Sequence, residues 1–292
     1  MTTAVTVSNP WRPVGELLRQ WRERRRLSQL DLAMQAEIST RHLSFMETSR
    51  SLPSRAMVLR LAEQLDLPFR ERNHLLLAAG YAPVYSETAL DAPGMAAVRA
   101  AVRQVLTGHE PYPALVVDRA WTLVDANAAV ALLTDGVAPE LLAPPANAMR
   151  VSLHPDGMAP RIVNLGEWRA QLLGQLRRQV ALTADPALTQ LYDELRAYPC
   201  DQPEPEIETP TPGDIIVPLR LRHDGRELAF FSTVATFGAP LDITVAELAI
   251  ESFFPADPAT AAVLHNERAR AATAAILHDS EDSQPRDAGG GR

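Results

Sequence analysis

Thr40, Arg41, Ser44 and Phe45 stand at spacings of one, four and five, so a helix carries them on one face and turns Leu43 and Met46 to the other. These side-chain types read the edges of base pairs. Arg41 can donate two hydrogen bonds to the O6 and N7 of a guanine, Thr40 and Ser44 can reach a base edge or a phosphate, and Phe45 can touch a thymine methyl. Arg50 lies just beyond, where a backbone phosphate would be met. Gln29 opens the preceding helical stretch, a position from which its amide and the helix N-terminus can face a phosphate. Glu47 falls near the apolar side, so pairing with an arginine of the first helix suits it better than a place at DNA. For Arg24, Arg25 and Arg26, a solvated face and a phosphate contact are equally compatible with the sequence.

Such a helix has to be held by others. Val14, Leu17, Leu18 and Trp21 recur at helical spacing after Pro13, Ser28 is a suitable N-cap before QLDLAMQA, and Ser39 caps TRHLSFMET. Leu32, Ala33 and Ala36 would face inward, Ala33 being small enough for two helices to cross closely. Two more helices follow, SRAMVLRLAEQL and a stretch from Pro68 to Gly80, which gives an all-α bundle of five helices over 10–82. Residues 83–93, with Pro83, Ser86 and Pro93 and Gly94 just after, read as an interdomain linker.

Beyond it the pattern becomes α+β over 94–265. MAAVRAAVRQVL is a helix, ALVVD and WTLVDAN form a hairpin, and helices cover LGEWRAQLLGQLRRQVAL and PALTQLYDELRAY. CDQPEPEIETPTPG is too rich in proline for a helix. Strands then run through DIIVPLRLRH, ELAFFSTVATF and LDITVAELAIESFF in an antiparallel sheet, with a turn at Asp224 and Gly225. The tail 279–292 has the composition of a disordered segment.

The charge supports the same division. The 292 residues carry a net charge of −8, yet residues 1–73 hold 12 Arg against 8 Asp and Glu, a local +4 on an acidic remainder of −12. A basic head on an acidic body suits a protein that meets phosphate with one end. All 28 basic residues are Arg, and without lysine there is no Walker A loop, Ser-Lys protease or pyridoxal phosphate Schiff base. The seven histidines show no metal spacing, no GxSxG or GxGxxG occurs, and Cys200, alone, can form no internal disulfide. The reading is therefore not an enzyme, with no cofactor and no metal. No apolar run is long enough to span a membrane and no signal peptide opens the chain, so a cytoplasmic location is expected.

The segment RRRLSQLDLAMQAEISTRHLSFMETSRSLPSRAMVLRLAEQLDLPFRERNHLLLAAGYAP resembles the Cro/cI-type helix-turn-helix of the xenobiotic-response-element family, and specifically of the MmyB-like regulators. The resemblance implies that Arg22 pairs with Glu47 and that Gln29, Thr40, Arg41 and Ser44 occupy the DNA-contacting positions, to which Ser39, Phe45 and Arg50 are added as DNA-binding candidates. Glu37 and Ser49 stand where the family usually has turn glycines. The likeness continues through YPALVVDRAWTLVDANAAV, HPDGMAPRIVNLGEW and LRHDGRELAFFSTVATFGAPLDITVAELAIESFFPAD, which resemble the PAS-like MmyB-type ligand-binding domain. It implies a small apolar ligand such as a fatty acid. A cavity needs an apolar lining with a few polar groups. Trp121, Trp168, Tyr192, Phe231 and Phe237 are candidates to line it, and Asn127, His154 and Arg161 to orient a polar head, although for each aromatic alone ordinary core packing is the stronger reading, Asn127 better suits a turn or cap, and His154 a loop.

Three functions fit: a regulator whose DNA affinity responds to a ligand, a constitutive DNA-binding protein whose C-terminal domain only dimerises or contacts partners, and an enzyme with a DNA-binding appendage. The first is the expectation, acting as a homodimer on a pseudo-palindromic operator.

Overall fold

The computed structural model describes residues 13–183, 185–203 and 217–269. The described residues form two compact units, one from 13–95 together with 237–246, the other from those within 96–236 together with 247–269.

In the first unit, α1 (Val14–Arg24), α2 (Gln29–Gln35), α3 (Thr40–Glu47), α4 (Arg55–Gln64) and α5 (Phe69–Ala78) enclose a core that includes Leu18, Trp21, Leu32, Leu43, Met46, Leu61 and Leu76. Ser28, Ser39 and Ser54 cap α2, α3 and α4 by accepting a backbone N–H three residues on, and Asp31 completes a capping box with Ser28. The C-termini share one solution. After each helix a residue turns left-handed (Arg26, Glu37, Ser49, Asp66 and Gly80) and the next N–H returns to a carbonyl of the helix, as from Leu27 to Arg22, Ile38 to Ala33 and Arg50 to Phe45. The absence of glycine at Glu37 and Ser49 does not alter the turn. Orphan carbonyls are satisfied and apolar Leu27 and Ile38 pack back on the core, which offsets the left-handed backbone. Ala33 is buried as its size suggests. Gly15 is a tighter point: a Cβ there would lie 2.3 Å from the Met46 carbonyl oxygen and 2.7 Å from that of Glu47, so α1 crosses α3 backbone to backbone.

The 83–93 segment, expected to be a linker, is tied down over its first half. Asn73 accepts from the N–H groups of Val84 and Tyr85 and donates to the Tyr85 carbonyl. Tyr85 stacks on Phe69 with centroids 4.2 Å apart, and Glu87 pairs with Arg70. The composition looked like a loop because the ordering group, a buried asparagine, lies in the preceding helix. The 237–246 segment joins this unit at the same place: Ile243 donates to the Ser86 carbonyl at 2.8 Å, and the Thr88 hydroxyl donates to Asp242 at 2.7 Å.

In the second unit, α6 (Ala96–Gly108) precedes β1 (Ala114–Val117) and β2 (Leu123–Ala126), then α7 (Val130–Thr134), α8 (Pro139–Leu142), α9 (Ala148–Leu153), α10 (Leu165–Thr183) and α11 (Pro186–Ala197). β3 (Leu219–His223) and β4 (Arg226–Thr236) follow, joined by a turn with positive φ at both Asp224 and Gly225, the backbone of a tight hairpin. The chain then passes α12 (Ile243–Ala246) and ends the sheet with β5 (Ala249–Pro255). The strands are antiparallel in the order β2-β1-β5-β4-β3.

One expectation is corrected. LDITVAELAIESFF is not one strand, because the Asp242 carboxylate accepts the Thr244 N–H at 2.8 Å and starts a helical turn before β5. The proline-rich passage from 139 to 155 holds α8 and α9, with Pro139 at the first helical position and Asn147 as an N-cap. One face of the sheet carries Leu115, Leu219, Leu221, Leu228, Phe230 and Phe253 into a core shared with α7, α9, α10 and α11. The expected tail, 279–292, and part of CDQPEPEIETPTPG lie outside the described residues.

Candidate DNA-reading helix and ligand cavity

α3 is divided sharply between its two sides. Leu43, Met46 and Glu47 are buried, whereas Arg41 is exposed and Thr40, Ser44 and Phe45 are half-exposed. Ser39 spends its hydroxyl on the His42 N–H, 3.1 Å away, and so serves the helix as a cap. Guanidinium carbons of Arg41 and Arg50 lie 5.3 and 5.9 Å from the Phe45 ring centroid, so the aromatic face helps to hold two cations beside each other. His42, not among the expected residues, is exposed on the same helix.

The helix is anchored by the ion pair that the resemblance implies. Arg22 reaches Glu47 with two bonds of 2.7 and 2.9 Å, the side chains being 10% and 1% exposed, and spends a third donor on the Leu27 carbonyl. The hydrogen bonds to Glu47 hold the Arg22 guanidinium above its usual pKa. Gln29 belongs to this network: its amide donates to Glu47 at 2.8 Å, so that hydrogen does not face a phosphate as expected. Arg25, left open between solvent and phosphate, donates to the Leu65 and Asp66 carbonyls at the end of α4.

The second unit contains a cavity between the sheet and α7, α8, α9 and α10, with about 690 Å³ free of protein atoms, its open mouth included. Of the eight residues expected there, Trp121 and Trp168 line it. Their indole N–H groups are already taken, that of Trp121 by Gln179 at 2.8 Å and that of Trp168 by Ser152, another lining residue, at 2.9 Å. The other six lie outside this lining. Asn127 is buried but bonded throughout, accepting from Ala114 and donating to the Leu106 and Tyr112 carbonyls, so it fastens α6 to β1. His154 accepts the Asp156 N–H and meets the edge of Tyr198. Arg161 donates to the Leu132 and Leu133 carbonyls, and burial lowers its pKa from the usual arginine value. Tyr192 packs at the periphery of the core. Phe231 stacks on Phe254, outside the cavity lining, because successive residues of β4 alternate sides and Phe230 already points inward. Phe237 falls in the segment that joins the first unit.

Sequence reading missed Glu251. It sits on β5 opposite Leu115 of β1, and with Phe253 two residues on it faces the cavity. Its side chain is half-buried. Burial pushes its carboxyl up to about 7, against a hydrogen bond from Ser232 that acts in the opposite sense. The strand's period of two carried the signal, since Glu251 shares the face of Phe253. The fold also gathers His223, Asp224 and Glu267 until one ligand atom of each lies within 4.8 Å of the others, a grouping that spacing along the chain does not reveal.

A five-helix bundle with a buried anchor and an exposed arginine-bearing helix, joined to an α+β unit with an apolar cavity, defines a DNA-binding transcription regulator with a ligand-binding domain. The MmyB-like transcription regulator ligand binding domain matches residues 98–266, and a helix-turn-helix domain matches residues 13–75. The chain belongs to the MmyB-like transcription regulators. No curated protein matches it. Among solved structures, an RNA-binding Light-Oxygen-Voltage receptor is 15% identical over 93% of this chain and 65% of that one, with a TM-score of 0.22. Among the described residues, no helix is long and apolar enough to cross a membrane.

Proposed function

We propose that the protein reads an operator through α3 and that a small apolar molecule in the cavity of the second unit changes its affinity for that operator. The observation that carries the reading is the contrast across α3: one side is locked by Leu43, Met46 and the Arg22–Glu47 pair, and the other offers Arg41, Phe45 and Arg50 to a groove. Thr40 and Ser44 add base-edge or phosphate contacts, and Gln29 a backbone contact with what its tie to Glu47 leaves free. One such module covers few base pairs, which supports a homodimer on a pseudo-palindromic site. A regulator rather than an enzyme, working where the DNA is, also supports a cytoplasmic location.

Chain continuity supports the ligand response. The connection between β4 and β5 belongs to the DNA-binding unit, so β5, which lines the cavity through Glu251 and Phe253, has a direct backbone route to Asp242 and its bond with Thr88. A ligand can act only by favouring one state over another. The test is operator titration. Arg41→Ala should cost about 1–3 kcal/mol and relax preference at one base pair, where Gln29→Ala weakens all sequences alike. Equal loss on every sequence for Arg41→Ala would reduce it to a phosphate contact. Unchanged operator affinity with the cavity occupied would end the sensor reading.

A further inference from the structure

The walls of the cavity restrict what can occupy it. Eighteen residues line it, and all are apolar except Thr134, Ser152 and Glu251. The hydroxyl of Thr134 is turned back on the Val130 carbonyl, and that of Ser152 accepts from Trp168. Glu251 is the only titratable side chain in the lining. β1 sets Leu115 opposite it, and β4 sets Val234 opposite on the other side with Ser232 diagonal. The arginine that could have received an anionic head, Arg161, is outside the lining and committed to two backbone carbonyls.

We propose that this cavity takes an amphipathic amine, whose apolar body lies against Trp121, Leu133, Met149, Trp168 and Phe253 and whose ammonium head is held by the Glu251 carboxylate. The assignment rests on the sensor reading above and narrows its ligand. A fatty-acid anion would bring a second negative charge beside Glu251 with no cation in the wall to balance it, which is costly in an apolar site. An ammonium supplies the missing partner. The carboxyl, its pKa raised by burial, would lose its proton when a cation arrives.

Decylamine, decanol and decanoic acid share a chain and differ at the head, so titrating the full-length protein with each by calorimetry separates head from body. Near pH 8 the amine should bind about tenfold or more tightly than the alcohol or the acid, the weight of one charge-assisted hydrogen bond. That advantage should vanish in Glu251→Gln, which should bind the amine no more tightly than decanol. In the parent it should shrink as the pH falls to about 5.5 and Glu251 takes up its proton, an arm that needs no variant. Acid binding as tightly as amine near pH 8, or an amine preference that survives Glu251→Gln, would overturn the assignment while leaving the sensor reading standing. Failure of all three to bind would overturn both.

Discussion

Each unit withdraws a glutamate from solvent, Glu47 fully and Glu251 in part, and the two are treated in opposite ways. Glu47 accepts two bonds from Arg22 and one from Gln29, so both its oxygens are occupied by donors from the same bundle. Glu251 has a hydroxyl, an apolar cavity and no cation. A buried charge that its own fold satisfies is part of the framework, here fixing the angle at which α3 is presented. One left without a counter-ion makes the empty state less stable and favours any ligand that supplies the partner.

The largest test of this contrast is to break the satisfied pair. Arg22→Ala or Glu47→Ala leaves a charge in the core and should destabilise by about 3–5 kcal/mol, read by urea unfolding. The double variant should lose less than the sum of the two, whereas additive losses would show that the pair does not act as one unit.

Removing the unsatisfied acid should have the opposite sign. The folded protein holds the Glu251 proton at a pKa of about 7, above the 4.5 of the ordinary carboxyl. Its favourable contribution is thus full below about pH 4.5 and is lost as the pH rises through about 7. Glu251→Gln should abolish that part of the pH dependence and, near pH 8, exceed the parent in stability by at most roughly 3 kcal/mol. Identical pH profiles of thermal unfolding for variant and parent would mean that Glu251 is as well solvated as a surface acid.

Gly15→Ala asks whether the framework tolerates displacement. The added Cβ would collide with the carbonyls of Met46 and Glu47, so α1 and α3 must separate, at about 1–3 kcal/mol. Operator affinity should fall as well, because the same crossing presents α3. Unchanged stability would show that the crossing relaxes without cost. The smallest change is Ser232→Ala, which removes one hydrogen bond from Glu251, worth about 1 kcal/mol or less. Since that bond favours the ionised form, its loss should move the pH-dependent part of the unfolding curve to higher pH. A shift to lower pH would place the hydroxyl on the protonated form instead.

Much of the DNA-binding unit was legible because its determinants are local. A serine cap, an apolar face and the next turn all lie within a few residues, so the helices, Ala33 and the exposed side of α3 followed from spacing. Arg22–Glu47 needed the family resemblance as well, since nothing local selects Arg22 from its neighbours. The second unit was legible only as elements. Its aromatics were nominated for bulk, and two of the eight nominated residues line the cavity, because strand pairing decides which side of a sheet each residue faces and hydrogen bonding decides which polar groups stay free. The sequence by itself determined two units of different class, a basic helix for DNA and an apolar interior beyond it. Only the tertiary structure decided that Gly15 is a crossing point, that 237–246 joins the first unit, and that Glu251 is the one titratable group in the cavity. Each of these depends on chain segments far apart in sequence meeting in space, and no periodicity along one segment encodes which segment it will meet.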